Sequence, residues 1–410
     1  MLLSTMLERT VKHGSLTLID AHGRAHRFGD GNPPSVTIRV HDPALHWKIP
    51  LNPTLYAGEA YMDGMLTVED GTLTDFLDVA TRDIDTLQAS EPMHHVVRFA
   101  GRLMRLAQQY NPAWRAQRNV AHHYDLSDTL YDLFLDKDRQ YSCAYFAHPQ
   151  DSLETAQHNK KLHLAAKLLL DKPGLKVLDI GSGWGGLALF LAKVAAADVT
   201  GVTLSREQAA RAEERAGAAG LANRVRFRLQ DYRTVTDQFD RIVSVGMFEH
   251  VGVPQYPTFF TKVRAMLKPD GVALLHSIGR MDGPGITDPW IRKYIFPGGY
   301  VPALSEVLPV IERMGLWVTD IEVLRLHYAE TIKHWQANFQ ANRAEVARVY
   351  DERFCRMWEF YLAGCEMAFR NMKQMVFQIQ LAREPTAVPL TRDYISDWER
   401  AHEAKATEAA

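Results

Sequence analysis

The segment KVLDIGSGWGG at residues 176–186 decides the fold that this sequence predicts. Residues 176–181 form a short apolar run typical of a buried strand, and the glycines that follow fit the spacing GxGxxG. Glycine permits a tight turn from strand to helix and lets a ligand lie against the backbone. The segment therefore predicts a strand, a ligand-binding turn and a helix, in that order.

Strands and helices alternate along the chain after this turn. Six further apolar runs predict strands, and the amphipathic stretches between them predict helices. The alternation is typical of a Rossmann-like α/β sheet of about seven strands, of which we expect the last to be antiparallel. The predicted strands are 176–181, 198–204, 224–231, 239–246, 271–279, 318–325 and 375–383.

Composition and charge exclude several classes of protein. The 410 residues carry a formal net charge of −2, which disfavours a nucleic-acid-binding surface. Hydrophobic residues make up 46%, as in a folded globular protein, and we find no apolar run long enough for a membrane span. Cys143, Cys355 and Cys365 lack the spacing of a disulfide framework or a zinc site, so we expect reduced thiols, no metal and a cytoplasmic location.

The length of the chain favours two folded domains. Residues 1–91 predict a smaller N-terminal α/β or α+β domain, which we expect to face lipid, and residues 92–120 predict a basic linker. Residues 121–385 form the domain of the glycine turn. Residues 386–410 form a C-terminal tail whose last dozen residues we expect to fray.

The basic linker has an unusual distribution of charge. Residues 92–124 contain no acid, whereas five arginines alternate there with apolar side chains. The segment is either a linker helix with solvated or paired arginines, or a cationic patch for anionic lipid headgroups. The arginines are Arg98, Arg102, Arg105, Arg115 and Arg118.

The second strand indicates which nucleoside the turn binds. It ends in Val202-Thr203-Leu204-Ser205, without the carboxylate that a nicotinamide dinucleotide needs for its ribose. Asp179 and Asp231 instead suit a nucleoside with a cationic amino-acid tail. A dinucleotide is therefore disfavoured.

Six motifs within residues 121–383 together resemble the cyclopropane-fatty-acid synthases and the related mycolic-acid cyclopropane synthases. An additional N-terminal motif, GEAYMDG at 58–64, looks like the longer bacterial branch that acts on phospholipids. The resemblance implies a class I methyltransferase fold, S-adenosylmethionine as methyl donor and unsaturated phospholipid acyl chains as acceptor. The six motifs are the turn at 179–186, TLSREQ at 203–208, FEHVG at 248–252, YIFPGG at 294–299, HYDL at 123–126 and YSCAYF at 141–146.

The resemblance also implies which residues bind the cofactor. Many relatives have cysteine where this chain has Ser182, a small change on a turn that binds through its backbone. Gln208 could equally be a solvated residue in the first turn of a helix. The implied cofactor residues are Tyr141, Ser142, Asp179, Gly181, Gly183, Gly185, Thr203, Leu204, Gln208, Asp231 and Tyr232.

Cyclopropane formation places demands on the acceptor site. An alkene is a poor nucleophile, so the site must hold it against the sulfonium methyl, exclude water and remove a proton. The resemblance implies that bound bicarbonate accepts this proton within a small polar cage. The matching catalytic positions are Cys143, Glu249, His276, Ile278 and Tyr328.

The residues themselves also support a cage. Glu249 and His276 lie at or just beyond the carboxyl ends of predicted strands, where open α/β sheets bind ligands. Tyr328 supplies a hydroxyl, and the Ile278 N–H is a donor for an anion. Any one of these residues alone could be structural. Cys143 is an unpromising nucleophile because no general base adjoins it, so we interpret it as lining the site.

The product and the partners remain open to alternatives. Loss of another proton, or a hydride shift, would give methylene- or methyl-branched chains in place of a ring. A catalytically silent lipid-binding protein is an alternative of another class. We expect peripheral association with the anionic inner face of the membrane, and a homodimer is compatible with the sequence.

Overall fold

The computed structural model of the chain describes residues 2–84 and 128–409. The predicted basic linker at 92–120 and the motif at 123–126 lie outside these residues. The chain divides into two compact units, each assembled from three segments. Of the described residues, the first unit comprises 2–84, 286–297 and 329–374, and the second comprises 128–285, 298–328 and 375–409.

The helices and strands follow one another in chain order. Residues 2–84 form α1 (Leu2–Thr10), β1 (Ser15–Ile19), β2 (Ala25–Gly29), β3 (Ser35–Val40), α2 (Leu45–Leu51), α3 (Pro53–Met62), β4 (Leu66–Asp70) and α4 (Leu73–Thr81). Residues 128–409 form α5 (Asp128–Phe134), α6 (Leu153–Lys167), β5 (Lys176–Ile180), α7 (Gly186–Ala195), β6 (Asp198–Thr203), α8 (Arg206–Ala218), β7 (Val225–Leu229), β8 (Phe239–Val245), α9 (Tyr256–Met266), β9 (Leu267–Arg280), α10 (Pro289–Tyr294), α11 (Leu304–Arg313), β10 (Trp317–Leu324), α12 (His327–Ala341), α13 (Arg343–Val349), α14 (Glu352–Asn371), β11 (Gln374–Ala382) and α15 (Asp393–Ala409).

The first unit contains a four-stranded mixed sheet in the order β2-β1-β3-β4. Strand β1 pairs in parallel with β3 and antiparallel with β2. Helix α4 begins at a capping box, in which Thr72 Oγ1 accepts from the Asp75 N–H and the Asp75 carboxylate accepts from the Thr72 N–H. The N-terminal sheet and its helices agree with the predicted α/β or α+β domain.

Helix α14 belongs to this first unit, although the sequence placed it in the domain of the glycine turn. It packs against α3 and α4. The Tyr61 hydroxyl donates to Glu359 Oε2 at 3.1 Å, and Asn371 Nδ2 donates to Asp78 Oδ1 at 2.9 Å. The units therefore differ from the linear division expected at residue 91, because α14 buries its apolar face against helices from the start of the chain.

The second unit contains a seven-stranded sheet in the order β10-β11-β9-β8-β5-β6-β7. Strands β5, β6, β7, β8 and β9 pair in parallel, and the last strand, β11, runs antiparallel to β10. The predicted Rossmann-like sheet of seven strands with an antiparallel last strand is confirmed.

Apolar side chains cover both faces of this sheet. On one face Leu178 and Ile180 of β5 pack in a cluster with α9 and α11, and on the other Val177 packs with α6, α7 and α8. Strands buried on both faces are apolar almost without interruption. This burial explains why short continuous apolar runs predicted the strands.

The C-terminal residues form a helix, α15, which contacts the rest of the second unit through Trp398 and Glu399, and the expected fraying of the last dozen residues stays a prediction. Trp398 Nε1 donates to the Leu170 carbonyl at 3.1 Å, and Glu399 Oε1 contacts His163 Nδ1 at 2.6 Å. Alanine and glutamate favour a helix, and Trp398 anchors it.

None of the helices within residues 2–84 and 128–409 is long and apolar enough to cross a membrane.

Candidate active site

The glycine turn closes tightly between β5 and α7. Gly181, Gly183 and Gly185 have φ angles of 85°, 52° and 82°, which side chains rarely tolerate. The N–H groups of Gly181 and Ser182 donate to the Val202 carbonyl at 2.9 and 3.1 Å. These bonds fix the turn at the carboxyl end of β6.

A cavity opens beside this turn, at the carboxyl ends of β5, β6 and β7 in the second unit. Ten of the eleven predicted cofactor residues line it: Tyr141, Ser142, Asp179, Gly181, Gly183, Thr203, Leu204, Gln208, Asp231 and Tyr232. Gly185 lies behind the turn, where a Cβ would stand 2.5 Å from the Phe227 ring. Gly185 therefore shapes the turn instead of lining the cavity.

The two acidic residues at this cavity differ in their environment. Asp179 is buried, its Oδ2 has no hydrogen-bond partner within the described residues, and burial raises its pKa to about 7. Asp231 Oδ2 instead pairs with the Arg233 guanidinium at 2.6 Å. Asp179 thus keeps an oxygen for a cationic ligand group, whereas Asp231 already binds a cation of its own chain.

Gln208 is only 6% exposed, so the alternative of a solvated helix residue is wrong. Its Oε1 accepts from Thr203 Oγ1 at 2.9 Å. The end of β6 and the first turn of α8 are thereby held together at the wall of the cavity.

The sequence predicted no role for several residues that line the cavity, among them Gln140, Lys160, His250 and Gln255. Lys160 is only 1% exposed and lies on α6 four positions before Leu164, which is fully buried. A lysine on the buried stripe of a helix was the available signal. Burial lowers the pKa of His250 to about 4, so its ring is neutral.

Glu249 lies in a short 3₁₀ turn after β8, and β9 holds it in place. The Ile278 backbone N–H donates to Glu249 Oε1 at 2.7 Å, while Oε2 has no partner among the described residues. Burial raises the pKa of Glu249 to about 7, against the lowering effects of backbone N–H groups, that of Ile278 first, and of the Ser277 hydroxyl. The Ile278 N–H, expected to bind an external anion, is therefore occupied by the Glu249 carboxylate.

His276 precedes Ile278 by two positions on β9, so both belong to the same face of the strand. Gln378 Nε2 lies 3.2 Å from His276 Nδ1 and donates to it, which leaves the ring proton on Nε2. Burial lowers the pKa of His276 to about 3, so the ring is a neutral donor near pH 7.

Cys143 and Tyr328 are both buried. Cys143 Sγ donates to the Ala144 carbonyl at 3.3 Å. The Phe146 N–H donates to His327 Nδ1 at 3.0 Å, which joins the segment containing Cys143 to the start of α12, where Tyr328 lies. The structure thus brings these two predicted positions into neighbouring segments of the second unit.

Residues 112–379 match the family description "Mycolic acid cyclopropane synthetase". The cyclopropane-fatty-acyl-phospholipid synthase of Escherichia coli (strain K12) is 40% identical over 346 residues, which are 84% of this chain and 87% of that protein. The tuberculostearic acid methyltransferase UfaA1 of Mycobacterium tuberculosis is 37% identical over 402 residues, which are 92% of this chain and 90% of that protein.

A solved structure with a similar fold is the mycolic acid cyclopropane synthase CmaA1 in complex with SAH and CTAB. It superimposes with a TM-score of 0.61 at 34% sequence identity and covers 66% of this chain and 98% of that chain. The seven-stranded sheet described here therefore has the fold of an enzyme whose structure holds S-adenosylhomocysteine.

Proposed function

This chain belongs to the mycolic acid cyclopropane synthetase family, and from that membership we propose its reaction. The protein is an S-adenosylmethionine-dependent methyltransferase. It transfers a methylene group from S-adenosylmethionine to the cis double bond of an unsaturated fatty acyl chain in a phospholipid and closes a cyclopropane ring.

The observation that carries this proposal is the cavity beside the glycine turn. Its wall combines the glycine turn, the ends of three parallel strands and the buried Asp179. The turn and the strand ends suit a nucleoside, and Asp179 suits the cationic amino-acid tail. S-adenosylmethionine supplies an electrophilic methyl group on a sulfonium centre. The chain's own residues bind and orient this donor and keep water from the acyl carbon that it alkylates.

Glu249 and His276 fit bicarbonate as the base of the reaction. Glu249 Oε2 is buried and unpartnered, so it can accept the hydroxyl proton of bicarbonate. The neutral His276 ring offers its Nε2 proton to the anion, since Nδ1 accepts from Gln378. Bicarbonate held there would supply a proton acceptor, and Cys143 and Tyr328 complete the proposed lining.

The acyl substrate implies a membrane as the place of action. We propose that the enzyme is cytoplasmic, associates peripherally with the anionic inner face and meets its substrate there. Support comes from the acid-free segment at 92–124, in which five arginines alternate with apolar side chains. A homodimer is part of the same proposal.

A second product is favoured by one specific likeness. UfaA1, whose name describes it as a tuberculostearic acid methyltransferase, matches 92% of this chain. A methyl- or methylene-branched acyl chain is therefore the alternative outcome of the same first methyl transfer.

The test is incubation of the purified protein with isotope-labelled S-adenosylmethionine, bicarbonate and vesicles of an unsaturated phospholipid. We expect product mass to rise by one methylene group, and NMR signals of the double bond to be replaced by those of a cyclopropane. Vesicles of a saturated phospholipid are the matched control. A branched product would support the second candidate. If the protein is intact and no label enters the phospholipid, the result would contradict enzymatic function.

A further inference from the structure

A lysine is buried in the wall of the cofactor cavity and has no role in the reaction so far described. Lys160 on α6 is 1% exposed and lines the cavity. A buried ammonium group is costly unless acceptors surround it, so its retention indicates a specific partner. Burial lowers the pKa of Lys160 to about 8.

Two described acceptors bind this ammonium group. Lys160 Nζ donates to Gln140 Oε1 at 2.7 Å and to Ser142 Oγ at 2.8 Å. An ammonium group has three protons and no lone pair. Within the described residues, the third proton has no hydrogen-bond acceptor, so it is available to a ligand in the cavity.

The contact also fixes the orientation of Ser142. Because Lys160 can only donate, Ser142 Oγ is the acceptor, and the hydroxyl proton must be donated elsewhere. No described carbonyl or carboxylate accepts this proton. Ser142 lines the cavity, and therefore offers a hydroxyl donor, polarised by the adjacent cation, to an anionic ligand group.

The segment that carries Ser142 is rigidly held by the same helix. Gln157 Nε2 donates to the backbone carbonyls of Gln140 and Ser142 at 3.1 and 3.0 Å. Gln140 Nε2 donates to Asp138 Oδ2 at 3.0 Å, which orients its Oε1 towards Lys160. Helix α6 thus positions the cation and the hydroxyl together.

A residue of opposite charge lines the same cavity. Asp179 of β5 keeps an unpartnered Oδ2, and Lys160 contributes to its electrostatic environment. A ligand with both a carboxylate and an ammonium group would complement both residues. The amino-acid part of S-adenosylmethionine has these two groups.

We propose that Lys160 and Ser142 form the subsite that binds the carboxylate of the amino-acid tail of S-adenosylmethionine. The inference rests on the proposed function, since it takes that cofactor as the ligand of the cavity. It assigns selectivity for a carboxylated tail to a residue of α6, away from the glycine turn.

The experiment compares two ligands by calorimetry: S-adenosylhomocysteine and its decarboxylated analogue, which has the same nucleoside and amine. For Lys160→Met we expect S-adenosylhomocysteine to bind roughly 10- to 100-fold more weakly, as for loss of a hydrogen bond between charged groups. The analogue should change by less than about threefold, because it has no carboxylate for Lys160 to bind. Ser142→Ala should also weaken binding of S-adenosylhomocysteine more than binding of the analogue, with a smaller loss of affinity than Lys160→Met.

Lys167→Met is the matched control. Lys167 is also buried on α6 but pairs with Asp320 at 3.3 Å and is absent from the described cavity wall. Its replacement should affect both ligands equally. If Lys160→Met weakens both ligands by the same factor, or neither, Lys160 has only a structural role and the proposal is wrong.

Wild-type protein gives an independent test if the variants fail to fold. Affinity for S-adenosylhomocysteine, relative to the analogue, should fall as the pH rises above about 8, where the Lys160 ammonium loses its proton. A constant ratio would overturn the subsite. Failure of the wild type to bind either ligand would instead contradict the proposed function.

Discussion

Glu249 and Ile278 are joined by a 2.7 Å hydrogen bond from the Ile278 backbone N–H to the Glu249 carboxylate, across 29 positions of sequence. Strand β9 thereby holds one oxygen of a buried acid and leaves Oε2 for another partner. An acid fixed in this way retains its position without substrate, which is the geometry that a proton-transfer site requires.

The first prediction concerns this acid. Glu249→Gln should reduce turnover by about 10²- to 10⁴-fold, because the amide still accepts from Ile278 but has no charge and no acceptor in place of Oε2. Calorimetry with S-adenosylhomocysteine should show nearly unchanged binding. Wild-type rates for both Glu249→Gln and Tyr328→Phe would show that the proposed cage is wrong.

The second prediction concerns the glycine turn. Gly185→Ala should destabilise the protein by roughly 2–5 kcal/mol, through a side chain at positive φ and a clash with the Phe227 ring. Gly183→Ala is the control, since its φ is also positive but no described atom lies within 4 Å of the added Cβ. It should cost about 1–2 kcal/mol. Urea unfolding measures both, and equal losses would refute the role of the Phe227 contact.

The sequence was informative where burial follows a local pattern. All seven strands of the second unit were predicted, because a sheet covered on both faces needs continuous apolar runs. Residues at the ends of those strands, such as Asp179 and Thr203, lie on the cavity wall. The parallel arrangement alone brings these ends to one edge.

The features that the sequence did not predict depend on contacts between residues that are distant in sequence. Because a lysine on a helix is usually exposed to solvent, the sequence predicted no role for Lys160. Its partners Gln140 and Ser142 lie in a different segment of the chain. The Ile278 N–H is a backbone donor, so the side chain of Ile278 gives no information about which residue accepts from this N–H. Helix α14 was placed in the wrong unit because an apolar helix does not indicate which helices cover it.

The third prediction concerns the docking of α15 by His163. Its ring contacts Glu322 Oε2 at 2.7 Å and Glu399 Oε1 at 2.6 Å. Burial alone would lower the pKa of His163, but these hydrogen bonds raise it above 6.5. The stabilisation from protonated His163 is therefore complete below about pH 6.5 and is lost as the pH rises through the raised pKa.

Glu399→Gln should accordingly lower the free energy of unfolding by about 1–3 kcal/mol at about pH 6, and by less at about pH 9. Asp397→Asn on the same helix is the control, since among the described residues Asp397 pairs with Arg400 alone, in a mostly exposed ion pair. This substitution should change stability by less than about 0.5 kcal/mol. Denaturant titrations at both pH values measure the difference. An effect of Glu399→Gln that is independent of pH would contradict this role of His163.

The fourth prediction concerns the acid-free segment, whose structure lies outside the described residues. Replacing Arg98, Arg102 and Arg105 with Gln should weaken binding to anionic vesicles by up to about 3 kcal/mol, at roughly 1 kcal/mol for each cation. Co-sedimentation at low and high salt measures this, and activity on detergent-dispersed substrate should suffer less. Equal and salt-insensitive binding by both proteins would place membrane contact elsewhere.

The assembly of the first unit from separate segments has a consequence for synthesis of the chain. Tyr61 and Glu359, which α3 and α14 bring into contact, stand 298 positions apart. At a translation rate of about 5–20 residues per second, α14 is made roughly 15–60 s after α3. The apolar surfaces of α3 and α4 that α14 covers stay exposed during that time. During that interval the nascent chain displays an uncovered surface of the kind that chaperones bind, so the yield of this protein in cells should depend on them more than its finished stability would suggest.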